Sequence, residues 1–315
     1  MHNQSSRVTE FVLHAFSDDQ KLQTFHFTTF LAIYLMAAIE NLFIITVTIS
    51  SHHLHKPMYF FLSNLALQDL GSISVTVPKS MANSLMKTNT ISYNGCICQV
   101  FFLVFFTASH IFLLGIMAYD RYVAICNPLQ YETVMNGTAC IQMAISVWSI
   151  GLLYSTIYTG STFTIEFCTN DINQFFCEIP QLFKIACSDS YIIAFLAVWI
   201  GTFVAFIYLT LIVFSYVQIF RVVLKIPSAE GKKKAFSTCL PHLVVISLYF
   251  ISGSFAYLKP TSRSLSTMDL VASLFYCVLP PLMNPLIYCF RNKELKMAFR
   301  KLTANLSTQF LPSCH

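Results

Sequence analysis

Four ionisable side chains stand inside long apolar runs or at their edges, and these are the places where the chain can do chemistry. They are Glu40, Asp69 and the adjacent pair Asp120-Arg121. A charged side chain at the middle of a bilayer costs at least about 2.5–3.5 kcal/mol, so each acid in such a run needs compensation. Glu40 and Asp69, with the amides Asn41 and Asn284, leave two readings open. One is a hydrogen-bonded packing knot. The other is a cation- or water-filled pocket whose rearrangement couples the two membrane faces. The pair Asp120-Arg121 closes a run, Thr88 to Tyr119, that holds no Asp, Glu, Lys or Arg. It therefore sits where a helix leaves lipid. Snorkelling to the interface is the plain explanation. Tyr122 directly after the pair, in a helix that begins near Cys96, favours a latch that faces a partner instead.

The elements that must position these groups follow from composition. Of 315 residues, 56% are hydrophobic and only 10% charged, which excludes a soluble globule of this size. Residues 21–56 are interrupted by Glu40 alone and residues 56–79 by Asp69 alone, while 88–119, 133–165, 190–220, 235–258 and 270–290 carry no charge. A spanning helix needs about 20 mostly apolar residues, and a bilayer requires each span to satisfy its own backbone. The expectation is an all-α membrane protein, a seven-transmembrane helix bundle with a short amphipathic C-terminal helix. Its parts are an extracellular N-terminus (1–24), the seven-helix domain (25–290) and a cytoplasmic tail (291–315).

Loop charge sets the orientation. With the N-terminus outside, the inner segments carry Lys56, Arg121, Arg221, Lys225, Lys232, Lys233, Lys234, Arg291, Lys293, Lys296, Arg300 and Lys301, the larger share of the 19 basic residues. Asn3-Gln4-Ser5 is a glycosylation acceptor on the side that this topology places outside. Similar triplets at Asn136 and Asn305 fall inside. Cys96, Cys168, Cys177 and Cys187 all lie in outward segments, where disulfides form. No cleavable signal peptide is visible, so the first span, about 25–50, is expected to act as its own insertion signal.

The second span opens at Pro57, after the loop His52-His53-Leu54-His55-Lys56, and is expected to end near Pro78. The third ends near Tyr122, the fourth near Ser161 and the fifth at Arg221. The sixth contains Pro241, and the seventh ends in Pro280-Pro281 and Asn284-Pro285. Prolines there permit bends of the kind a conformational switch uses, although static kinks are common. The three loop histidines lack a carboxylate or thiol partner and read as a solvated cluster. In the tail, Phe290, Leu295, Phe299 and Leu302 recur at helical spacing among Arg and Lys, which suits a helix held on anionic lipid. No repeat or ring of acids suggests a transporter or channel, and no nucleophile–base pair or metal-ligand spacing suggests an enzyme. No cofactor, metal or nucleic-acid partner is expected.

Residues 117–126 read MAYDRYVAIC. Together with Pro57-Met58-Tyr59-Phe60-Phe61-Leu62, Lys234-Ala235-Phe236-Ser237-Thr238-Cys239 and Pro281-Leu282-Met283-Asn284-Pro285-Leu286-Ile287-Tyr288, this string resembles the odorant receptors of the rhodopsin-like G-protein-coupled receptor superfamily. A long second outer loop holding Phe176-Cys177-Glu178-Ile179-Pro180 is similar to the same family. A non-olfactory receptor of that superfamily is the realistic alternative.

The resemblance implies roles. Cys96 would bridge to Cys177, and Cys168 to Cys187. Asp120 would hold Arg121 at rest and release it to a stimulatory heterotrimeric G protein, with Tyr122 beside the pair and Tyr216 and Tyr288 closing in behind it. Asp69, Asn41 and Asn284, with Pro285, match a central polar network, to which His110 adds a departure from the usual glutamate. A charged pair of His110 with Asp69 would put a resting metal-ion site in doubt. The odorant pocket would lie among Leu103, Val104, Thr107, Ala108, Ile200, Val204, Phe250, Gly253, Ser254, Tyr257 and Cys277. Leu248-Tyr249-Phe250-Ile251 replaces a common Phe-Tyr-Gly, so the pocket floor is expected to lack a tyrosine hydroxyl. Mostly apolar lining points to small neutral odorants, signalling through cyclic AMP. Leu103 stands where amine receptors carry an acid, and the absence of lysine from the seventh span excludes a retinal Schiff base. The expected location is the plasma membrane, in sensory cilia.

Overall fold

The computed structural model describes residues 8–14, 19–86, 88–187, 192–257, 267–291 and 294–297. Asn3 and Cys314 lie outside these described residues, as does the side chain of Tyr257. Seven long helices dominate: α1 (Gln20–Ser50), α2 (Pro57–Met86), α3 (Tyr93–Cys126), α4 (Gly137–Thr162), α5 (Ile192–Lys225), α6 (Ala229–Tyr257) and α7 (Thr267–Arg291). Each packs on its neighbour in sequence, α7 also touches α1 and α2, and α3 touches α2, α4, α5 and α6 from the centre.

Five of the seven are long and apolar enough to cross a membrane on length and composition alone. Of the other two, α2 carries much of the polar interior, and α7 is apolar over the shorter stretch that is described. Gln68, Asp69, Thr76, Ser80 and Asn83 are buried in α2, and the apolar stretch of α7 among the described residues is Ser273–Cys289. Large apolar side chains face outward. Phe203 and Phe206 are each 65% exposed, Ile157 56% and Ile251 69%, a pattern that suits hydrocarbon and not water.

Local chemistry starts the helices. Asp19 accepts from Lys21 N at 3.0 Å, Ser92 from Gly95 N at 3.1 Å, and Asn136 from Ala139 N at 2.9 Å. Asn136 is thus an N-cap. The proline readings need correction. α2 continues through Pro78 to Met86, and α7 continues through Pro280, Pro281 and Pro285 to Arg291. Backbone groups that a proline displaces can be satisfied by neighbouring helices, and the Pro281 carbonyl indeed accepts from Asn41 Nδ2 at 2.9 Å.

The end of the bundle that loop charge assigns to the outside, called outer below, departs from a purely helical expectation. A small sheet of order β2-β1-β3 joins β1 (Glu10–Leu13), β2 (Thr90–Ser92) and β3 (Asp171–Ile172). β1 runs antiparallel to β2, with Phe11 opposite Ile91, and parallel to β3, with Leu13 opposite Ile172. Phe11, Leu13, Ile91 and Ile172 are buried in one cluster with Cys96, Cys177 and Leu182. Of the amphipathic tail only 294–297 is described. It is helical, with Leu295 buried against the inner core and Met297 exposed.

Candidate functional site

The polar interior is built where α1, α2, α3 and α7 meet. Asp69, on the inward face of α2, is 2% exposed and accepts from Asn284 Nδ2 at 2.9 Å. Asn41 is fully buried and donates to the carbonyls of Ala37 and Pro281. His110 of α3 brings Nδ1 to 3.6 Å from Asp69 Oδ1, beyond hydrogen-bond reach. Glu40 does not join this group. Its Oε2 is buried without a hydrogen-bond partner among the described residues.

A small cavity lies directly outward of Asp69. Asp69, Ser72, Leu103, Phe106, Thr107, His110, Tyr249, Tyr276, Cys277, Pro280 and Pro281 line it. It admits the centres of water-sized groups over only about 20 Å³, room for one or two waters. Gly71 explains how Phe106 reaches this wall, because a Cβ there would collide with the Phe106 ring. Tyr249 donates from its hydroxyl to Thr107 O at 3.1 Å and stacks on His110 with ring centroids 4.5 Å apart. The Thr107 and Tyr276 hydroxyls are 3.1 Å apart.

The expected pocket residues therefore divide. Leu103, Thr107 and Cys277 line the cavity. Ala108 is buried nearby on α3, Val104 packs on the outer cluster, and Phe250 packs on the inner core. Val204 is half-buried. Gly253 faces Tyr276, whose ring would be 3.9 Å from an added Cβ. Two residues fall elsewhere. Ile200 is 60% exposed on the outside of the bundle, and Ser254 is exposed as well. Their helices present different faces than the resemblance implied. The floor also has the tyrosine hydroxyl it was expected to lack, supplied by Tyr249 one position before Phe250. Ser72, Phe106 and Tyr276 were missed. Only helix phase around Asp69 could have pointed to them.

Above the cavity the second outer loop folds into the bundle. Cys177 is bonded to Cys96 at the start of α3, and Cys168 to Cys187 within the loop. Gln99 accepts from Cys177 N at 2.8 Å and donates to Val75 O at 3.0 Å. Gln174 donates to Ser273 Oγ at 2.6 Å, and Ser80 donates to Phe175 O at 3.1 Å. Phe175 and Phe176 are buried against Phe30, Ile73, Val77, Leu103 and Tyr276. The cavity is capped by chain that is both covalently tied and hydrogen-bonded.

At the inner end of α3, Asp120 is 1% exposed and binds Arg121 through Nε at 3.0 Å and through a second guanidinium nitrogen. Tyr131, in the short helix Tyr131–Val134, donates to the other oxygen of Asp120 at 2.7 Å. Burial, and next the negative charge of Asp120, push the Tyr131 phenol well above its usual range, so it stays protonated and a donor. Tyr122 packs half-buried on the inner core. Tyr216 is committed to His242 Nδ1 of α6 at 2.6 Å, a partner the sequence reading did not name. Tyr288 and Pro285 are buried, and among the described residues the Tyr288 hydroxyl has no hydrogen-bond partner. Further out, Lys56 Nζ and Tyr59 Oη reach Glu294 at 3.0 and 2.7 Å, which ties the tail to the first inner loop.

The family model for olfactory receptors matches residues 30–305. Human olfactory receptor 14A16 is 46% identical over 296 residues, 94% of this chain and 96% of that receptor. Human olfactory receptor 14J1 is 48% identical over 303 residues, 96% of this chain and 94% of that receptor. Human olfactory receptor 14C36 is 45% identical over 305 residues, again covering about nineteen-twentieths of each chain (95% and 96%). A capped cavity over a buried polar centre, a paired Asp-Arg at the far end of the same helix and likeness over nearly the whole length converge: this seven-helix membrane protein belongs to the olfactory receptor family.

Proposed function

We propose that the chain binds small, neutral, mostly apolar odorants in the outer half of its helix bundle and activates a stimulatory heterotrimeric G protein, which raises cyclic AMP. The observation that carries this reading is a single helix, α3, with cavity-lining Leu103 and Thr107 towards one end and Asp120-Arg121 at the other. A ligand that repacks the first biases the second, provided that it binds the two arrangements unequally. Apolar lining gains affinity from buried carbon surface at about 25 cal/mol per Å². No acid replaces Leu103 to hold an amine.

In this reading the N-terminus faces outward with Asn3 glycosylated, and the tail lies inside on anionic lipid. The receptor works at the plasma membrane of sensory cilia. Arg121, held at rest by Asp120, is released to the G protein, and Tyr216 and Tyr288 fill the space behind it. The test is a cyclic-AMP reporter line challenged with a chemically diverse odorant panel. Neutral odorants activate the wild type, and Arg121→Ala removes the response while surface display persists. Activation by organic acids or amines alone defeats the ligand assignment. An intact response in Arg121→Ala defeats the latch.

A further inference from the structure

The turn between α1 and α2 carries three exposed histidines that take no part in the cavity or in the contacts around Asp120. α1 ends at Ser50 and α2 begins at Pro57. A link this short, at most about 3.5 Å per residue, stays within reach of the lipid headgroups where two spanning helices leave the membrane. It is also stiff. His52–Leu54 form a 3-10 turn, and the N–H groups of Leu54 and His55 donate to Ser51 O and His52 O at 2.8 and 3.1 Å. Leu54 is 1% exposed and packs on the inner core. With the leucine turned in, His52, His53, His55 and Lys56 are all left on the surface. The His52 and His55 rings stand edge to face with centroids 5.1 Å apart, and His55 Nε2 lies 3.1 Å from the Ile49 carbonyl. Glu294 of the tail is the acid that faces this turn. Lys56 reaches both of its oxygens and Tyr59 donates to one of them, while His53 acts on it through charge alone. Ser50 and Ser51, at the end of α1, add no charge, and Lys296 adds an exposed cation on the tail. Among the described residues these histidines join no group of His, Cys, Asp or Glu that could hold a metal ion. Two imidazoles this close repel once both are protonated, and an anion beside them relieves that repulsion.

We propose that this histidine turn is a proton-gated contact for anionic phospholipid. It holds a phosphodiester headgroup when its imidazoles are charged and releases it when they are neutral. The proposal rests on the inward orientation of this loop in the odorant-receptor reading, and it names the lipid that this face meets. The inner leaflet is the anionic one, and each cation held at its surface adds to the attraction. Histidine is the side chain that gains its charge between about pH 8 and pH 5. Both ring nitrogens of the charged form donate, which suits phosphate oxygens. The lipid binds the protonated rings, so its affinity rises as pH falls and is lost as pH rises. Lys56 carries its charge throughout and is shared with Glu294, so it supplies the part of the attraction that does not depend on pH.

The test uses the full-length receptor in phosphatidylcholine bilayers that hold a trace of spin-labelled phosphatidylglycerol or spin-labelled phosphatidylcholine. Electron spin resonance gives the preference of the receptor for the first lipid over the second. Phosphatidylglycerol is chosen because its phosphodiester keeps its charge over the range used. The preference is expected to rise at least about threefold from pH 7.5 to pH 5.5. With His52→Gln, His53→Gln and His55→Gln combined, it stays at both pH values where the wild type stands at pH 7.5. If the triple variant fails to reach the membrane, His52→Gln alone removes part of the rise. No rise in the wild type, or a full rise in the variants, overturns the contact and leaves the odorant reading intact. Dimethyl phosphate is the soluble control. A melting temperature that it raises in acid, in bilayers of phosphatidylcholine alone, would assign the turn to an anion from solution and overturn the lipid. An epitope in the turn that antibody reaches on intact cells would overturn the inward orientation, and the anionic leaflet as partner with it.

Discussion

The two ends of the bundle are held by different chemistry. Outside, β1 pairs with strands from two loops, two disulfides close the second loop, and Gln99, Gln174 and Ser80 hydrogen-bond that loop to the helices. Inside, the links are reversible: Arg121 and Tyr131 on Asp120, Tyr216 on His242, and Lys56 with Tyr59 on Glu294. A molecule fastened covalently at one end and by exchangeable polar contacts at the other is the more easily rearranged at the second. That suits a bundle whose outer end keeps a cavity in shape and whose inner end rearranges.

The sharpest way to break this contrast is to cut the covalent tie. Cys96→Ser opens a bridge spanning 81 residues, and losing a native disulfide typically costs about 2–5 kcal/mol. Surface display, measured with an outward epitope on intact cells, should fall to background. Cys168→Ser opens a bridge spanning only 19 residues, so it should leave more receptor on the surface. Equal loss would mean that span length is not what matters.

Next in size is the apolar part of the cap. Phe11 is fully buried beside Tyr93 and Phe167, and Phe→Ala at such a site costs about 3–5 kcal/mol. Phe11→Ala should lower the melting temperature of detergent-solubilised receptor by several degrees. Its inner contacts at Asp120 should be unaffected, as judged by the basal nucleotide exchange of the receptor that survives. An unchanged melting point would show that β1 is an ornament on the cap.

These two regions were unequally legible in the sequence. The seven spans could be read because lipid tolerates few charges, and the gaps between them are wide. Their ends could not, since helices run past the apolar interval: α3 reaches Cys126 and α5 reaches Lys225. Pro78 looked like a stop, but a helix surrounded by others tolerates proline. β1 was invisible. Its four residues show no alternation long enough to stand out, and its partners lie in loops far along the chain. Within the site, Asp69, Asn284 and the pair Asp120-Arg121 were evident from charge in an apolar setting. Tyr131, His242, Tyr249 and Tyr276 were hidden, because one aromatic among so many carries no signal until its partner is known.

Among the inner contacts, Tyr131 should have the larger effect. Tyr131→Phe removes one hydrogen bond from a buried carboxylate, worth about 1–2 kcal/mol, and leaves the Arg121 contact in place. Basal nucleotide exchange should rise roughly five- to tenfold, with surface display unchanged. If basal exchange is unaltered, Tyr131 plays no part in holding Asp120 at rest, and the inner end is less of a latch than the geometry suggests.

The smallest effect is expected at the tail, where Lys56 and Glu294 side chains are 57% and 38% exposed. Solvent screens such a pair, and exposed ion pairs contribute about 1 kcal/mol or less. The Tyr59 hydrogen bond, and after it Lys56, hold the Glu294 carboxyl below its usual range. A carboxylate lowered in the folded state adds stability that is fully present above its unfolded value, about pH 4.3, and is lost as pH falls through the lowered one. Spin labels on the first inner loop and at residue 296, in nanodiscs, should keep one short distance at neutral pH and widen only once the pH falls below the ordinary carboxylate range. Glu294→Gln cannot titrate, so its distance should be wider already at neutral pH and insensitive to acid. A glutamine variant that stays short at pH 7 would transfer the tail's attachment from this ion pair to Leu295, which is fully buried against the inner core. In that case the inner end would be fastened by packing at one point, and its reversible contacts would be confined to α3, α5, α6 and the short helix Tyr131–Val134.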